Sequence, residues 1–80
     1  MSKHERTLEQ IRSLNGNIDW KLVEALLVHL GAEVHESKGS AVTFKLHNVP
    51  LTVHRPHPRR HRGAGLVKRV RRYLETVGEL

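Results

Sequence analysis

Eighty residues make one small domain, a size that buries roughly 60% of the surface its unfolded chain exposes, so a deep internal active site is not expected. The chain has no cysteine, which excludes disulfide staples and thiolate metal sites, and no apolar run near the ~18 residues of a membrane span. Its formal charge of +6 is segregated: residues 1–36 carry four basic and six acidic side chains, residues 37–80 ten basic and two acidic.

In chain order, the opening MSKHERTLEQ lacks the apolar core of a secretory signal, and a cytoplasmic protein without membrane contact is expected. Residues 3–13 are polar apart from Leu8 and Ile11, three apart, and predict a short, weakly amphipathic helix. Asn15-Gly16-Asn17 breaks it. Asp19 is placed to cap a second helix in which Leu22, Val23, Leu26, Leu27 and Leu30 recur as one apolar stripe, and Gly31 sits where a glycine would end it.

From Ala32 the period changes to two, with Val34 between Glu33 and His35, and a strand of about five residues follows. Ser37-Lys38-Gly39 turns the chain. The next strand, Ser40 to His47, alternates Val42, Phe44 and Leu46 with Ala41, Thr43 and Lys45. A connection at Asn48-Val49-Pro50 leads to a third strand, Val49 to His54, with Val49, Leu51 and Val53 on the core face and Thr52 and His54 opposite. The three strands are expected to turn one apolar face to the helices and one polar face to solvent. Gly63-Ala64-Gly65 precedes a last helix, Leu66 to Val77, with Leu66, Val70, Tyr73, Leu74 and Val77 inward, and Gly78 closes it. The order α-α-β-β-β-α predicts an α+β two-layer sandwich, a three-stranded antiparallel sheet with helices packed on one face.

Function is sought in the basic half. Between Glu36 and Glu75 no acidic residue occurs, leaving Lys38, Lys45, Arg55, Arg59, Arg60, Arg62, Lys68, Arg69, Arg71 and Arg72 without a carboxylate in the intervening sequence. Such a field attracts polyanions, and the pairs on the last helix form a track for a phosphate backbone. His54, His57 and His61 lie close together, but Pro56 and Pro58 keep them extended and three Arg crowd them, which disfavours a divalent cation; neither metal nor cofactor is expected. A His beside cationic groups has its neutral form favoured, which suits a general base, and RNA supplies its own nucleophile in the 2′-hydroxyl. Gly39-Ser40 is no phosphate loop, since neither GxGxxG nor a Walker pattern occurs. Trp20 and Tyr73 fall on helical faces and are read as core.

From Gly31 onward the chain resembles the HicA toxins of bacterial toxin–antitoxin pairs. The likeness rests on a helix ending in Gly31, Gly39-Ser40 after seven intervening residues, a strand with Phe44, then Pro56-His57-Pro58, Gly65-Leu66-Val67-Lys68-Arg69-Val70 and a closing Val77-Gly78-Glu79-Leu80. It implies a fold like that of double-stranded-RNA-binding domains, endoribonuclease activity on mRNA and neutralisation by a HicB-type antitoxin, with a monomer when free and a hetero-oligomer with the antitoxin. It also divides the chain into an N-terminal helical extension, residues 1–16, and a toxin domain, residues 17–80. In the family the residue after Gly-Ser is a His held to be catalytic, whereas here it is Ala41, so this chain is expected to be inactive or impaired unless His57 or His54 serves instead. Lys38, Ser40, Thr43, Lys45, Arg55, Arg59, Arg60, Arg62, Lys68, Arg69, Arg71 and Arg72 are the expected RNA contacts. Two rivals remain: a non-catalytic RNA-binding module, and a basic surface that chiefly steers a protein partner.

Overall fold

The computed structural model describes residues 2–14, 18–55 and 64–80. Three helices, α1 (Lys3–Arg12), α2 (Trp20–His29) and α3 (Ala64–Thr76), accompany an antiparallel sheet of β1 (Glu33–Glu36), β2 (Ala41–Leu46) and β3 (Val49–His54) in the order β1-β2-β3. The fold is α+β, as the periodicities predict.

The helix ends follow from their capping residues. Ser2 and Glu5 form a reciprocal capping box at α1, and Asp19 accepts from the Lys21 N–H at 2.9 Å at α2. At the end of α2, Gly31 takes a φ of +106°, while Gly31 N–H donates to Val28 O and Ala32 N–H to Leu27 O. That pair of bonds satisfies the carbonyls a helix end would leave bare, and Gly78, Glu75 and Leu74 repeat the arrangement after α3.

The core gathers Ile11, Trp20, Val23, Leu26 and Leu27 from the first two helices, Val42, Phe44, Leu46, Leu51 and Val53 from the sheet, and Val67, Val70, Tyr73 and Leu74 from α3. Trp20 meets Phe44 edge to face, ring centroids 6.4 Å apart. Tyr73 packs its ring in the core and uses its polar end as a fastening. The buried hydroxyl accepts from the Leu46 N–H and donates to Val49 O, which ties α3 to the β2–β3 hairpin. Desolvation raises the Tyr73 phenol above its ordinary range, while its bond to the Leu46 backbone opposes the rise.

Three details depart from the sequence reading. The hairpin turns one residue earlier than expected, at His47-Asn48, whose φ values of 53° and 65° give the left-handed turn that suits strand twist. Pro50 therefore lies inside β3, opposite Lys45, where the lack of an N–H is harmless because β3 is an edge strand. Second, the common apolar face belongs to β2 and β3 alone. All four residues of β1 are exposed, and Val34 is 38% exposed although it pairs with Phe44, because the helices cover Phe44 without closing over the sheet edge. Third, α3 starts at Ala64, so Gly65 is helical, and its deepest face includes Val67 while Leu66 and Val77 are only partly buried.

Candidate nucleic-acid interface

Side chains alternate across a strand, so β2 and β3 turn Ala41, Thr43, Lys45, Pro50, Thr52 and His54 away from the core. Thr43 and Thr52 face each other with their hydroxyls 2.8 Å apart. Ala41 stands directly opposite His54. The Arg55 N–H donates to Ser40 O at 2.9 Å, which makes that pair hydrogen-bonded and, by antiparallel alternation, makes Ala41–His54 a close pair with Cα atoms about 4.5 Å apart. His54 Nδ1 lies 3.3 Å from Ser40 Oγ. Ala41 and Thr43 are half-buried, whereas Lys38, Ser40, Lys45, Thr52 and His54 are exposed.

At the outer edge of β3 a second surface begins. Thr52 O accepts from Arg69 Nη2 at 3.0 Å, so Thr52 touches α3 through its backbone and the open sheet face through its hydroxyl. Arg69 and Arg72 flank a cleft of about 310 Å³ floored by Val49, Leu51 and Tyr73 and closed by Thr76. Lys68, Arg69 and Arg72 also line a smaller hollow of about 200 Å³. Lys68, Arg69 and Arg72 are exposed; Arg71 is half-buried and lies 3.8 Å from Glu75 one turn on.

Arg55 stands apart from the other expected phosphate contacts. Its Nε and Nη2 donate to Glu24 at 2.7 and 3.1 Å, its Nη1 donates to Glu36 at 2.9 Å, and its side chain is only 12% exposed. The bonds to Glu24 and Glu36 raise its pKa further above the ordinary guanidinium range. Trp20 Nε1 donates to the same Glu24 carboxylate. The stretch that holds no acid in sequence thus receives two in space, and the Arg55 guanidinium is engaged inside the protein rather than offered to a phosphate. His57, Arg59, Arg60 and Arg62 lie outside the described residues.

A further contact gave no sign in the sequence. The rings of His4 on α1 and His29 at the end of α2 stack, centroids 4.1 Å apart and 14° from parallel, and His4 Nδ1 is buried without a hydrogen-bond partner. Desolvation first, then His29 and Lys3, hold the His4 pKa below its usual value. Its spacing from His29 matches no motif, since the two rings meet only after the helices pack.

Among the described residues no group of three or more His, Asp or Glu is placed to hold a metal ion, and no helix is long and apolar enough to cross a membrane.

A match to "HicA toxin of bacterial toxin-antitoxin" over residues 20–78 places the chain among the toxins of bacterial toxin–antitoxin pairs. Within that class it belongs to the HicA family, which implies an antitoxin as its partner. No curated protein and no solved structure matches the chain.

Proposed function

We propose that this HicA-family toxin binds and cleaves mRNA, that its RNA path crosses the open sheet face and continues onto α3, and that a HicB-type antitoxin neutralises it. One observation carries the reading: the hydroxyl and cation-bearing sheet face and the basic face of α3 meet at a single residue, Thr52. Lys38, Thr43 and Lys45 then hold backbone on one side of that junction, and Lys68, Arg69 and Arg72 on the other, with Arg71 at the margin. Arg59, Arg60 and Arg62, in the adjoining stretch of sequence, extend the set, and His57 is a second candidate base.

Cleavage needs a base for the 2′-hydroxyl and cations to hold the phosphate. Ala41 neither accepts nor donates a proton, so the chain cuts slowly. The free toxin is a monomer, and an acidic antitoxin is steered by the same cations and covers the sheet face in a hetero-oligomer. A non-catalytic RNA-binding module is the second reading, and Ala41 is the observation that favours it.

The test is cleavage of a defined RNA in EDTA by the unaltered protein and by Ala41→His. Ala41→His is expected to cut at least tenfold faster, because a His there restores a proton acceptor on a close cross-strand pair. If neither protein cuts RNA that both bind, the non-catalytic module replaces the enzyme.

A further inference from the structure

His54 is the one titratable side chain that β3 turns to the open face, and three features set it up for chemistry. Its Nδ1 is hydrogen-bonded to Ser40 Oγ, so the ring has a fixed partner from the turn before β2. Among the described residues its Nε2 has no partner, which leaves one ring nitrogen free for a substrate. Its cross-strand neighbour is the small Ala41, so the space beside the imidazole is not filled by a second large side chain. The bonded Thr43 and Thr52 hydroxyls come next along the same face.

We propose that His54, oriented by Ser40, is the general base of this chain, accepting the proton of an RNA 2′-hydroxyl at Nε2. The proposal rests on the endoribonuclease reading above and names the residue responsible for its slow cutting. When Nδ1–H donates to Ser40 Oγ, the ring's lone pair is on Nε2, the tautomer a base requires. The 2′-oxygen then forms a bond to the adjacent phosphorus while its proton passes to Nε2. The bond from phosphorus to the 5′-oxygen breaks, and that oxygen takes a proton from water. The products are a 2′,3′-cyclic phosphate and a 5′-hydroxyl, and His54 returns its proton to solvent. No oxidant or reductant enters. Ser40 is a positioning residue, since it acts through the ring and not on the RNA.

The experiment compares single-turnover cleavage of a short single-stranded RNA in EDTA by the whole chain and its variants, with RNA affinity measured separately by titration. His54→Ala is expected to lower the rate about 100-fold, the lower range of general-base effects, while RNA affinity stays within about twofold. Ser40→Ala should lower the rate about tenfold, Ser40→Thr should restore it, and Ser40→Ala should have no further effect on His54→Ala, a coupling that a merely structural hydroxyl would not give. Because both residues are exposed, circular dichroism should find all variants folded. If His54→Ala cuts at the unaltered rate, the proposal falls while the endoribonuclease reading stands, and His57 becomes the base to test. If the unaltered protein does not cut but Ala41→His does, the proposal falls and the chain is an inactivated toxin. If neither cuts, the proposal and the endoribonuclease reading fall together.

Discussion

Arg55 owes its place to the two-residue period of β3. His54 faces outward, so the next side chain turns toward the helices, where Glu24 of α2 and Glu36 of β1 take its guanidinium. The fork onto Glu24 fixes angle as well as distance, and it ties the end of β3 to the helix layer and to the far edge of the sheet. Removing it would leave the Glu24 carboxylate, 17% exposed, with the Trp20 N–H as its one side-chain partner among the described residues. Arg55→Ala is therefore expected to lower stability by about 2 kcal/mol, below the loss for a fully buried pair because Glu36 is 69% exposed and readily rehydrated. Urea unfolding measures that loss. RNA affinity of the folded variant should be unchanged, and a tenfold drop there would return Arg55 to the phosphate contacts. The sequence could not disclose this role. Glu24 is 31 residues away, and a charge count along the chain registers only neighbours in sequence.

At the scale of elements, what was legible had a local cause. Asp19 and Gly31 mark the ends of α2 because a cap and a left-handed glycine each act within a turn, and the alternation from Ala41 to Leu46 sets the two faces of β2. The turn was misplaced because Pro50 resembles a turn residue until the sheet order makes β3 an edge. The α1–α2 contact was illegible for the same physical reason as the Arg55 clamp, since His4 and His29 meet only through tertiary packing. That contact has a pH signature. An unfolded His titrates near 6.5, whereas folded His4 is held lower, by desolvation first. Between those two values the unfolded chain binds the proton that the folded one refuses. The contribution of neutral His4 is thus present above pH ~6.5 and lost as pH falls through the lowered value. Glu5 lines the same cleft as His4 and His29. The urea midpoint is expected to fall on acidification from about pH 7 to about pH 5.5, and to fall less in His4→Gln. An equal fall in both would remove His4 as the cause.

At the scale of the molecule, α1 lies outside the matched residues 20–78, yet Ile11 is fully buried in the common core and Thr7 nearly so. In a domain of this size one helix is a large share of the apolar surface removed from water, so α1 works as structure. Charge is organised on the same scale. Glu24 and Glu36 take Arg55, Glu75 approaches Arg71, and Glu79 pairs with His47 at 2.9 Å. Lys45, Lys68 and Arg72 have no such partner among the described residues, and with Arg69 they extend from the open sheet face around the edge of β3. RNA following that surface releases one set of counterions for each phosphate neutralised, so the logarithm of affinity falls linearly with the logarithm of salt. Arg72→Ala and Lys45→Ala are each expected to weaken binding uniformly across RNA sequences and to reduce the salt slope by about 0.7, the value for a single strand. Because one lies on α3 and the other on β2, their effects should add in the double variant. A path confined to the sheet would leave the slope of Arg72→Ala unaltered, and one confined to α3 would do the same for Lys45→Ala. Equal, additive losses require one backbone in contact with both surfaces, and Thr52 is where they touch.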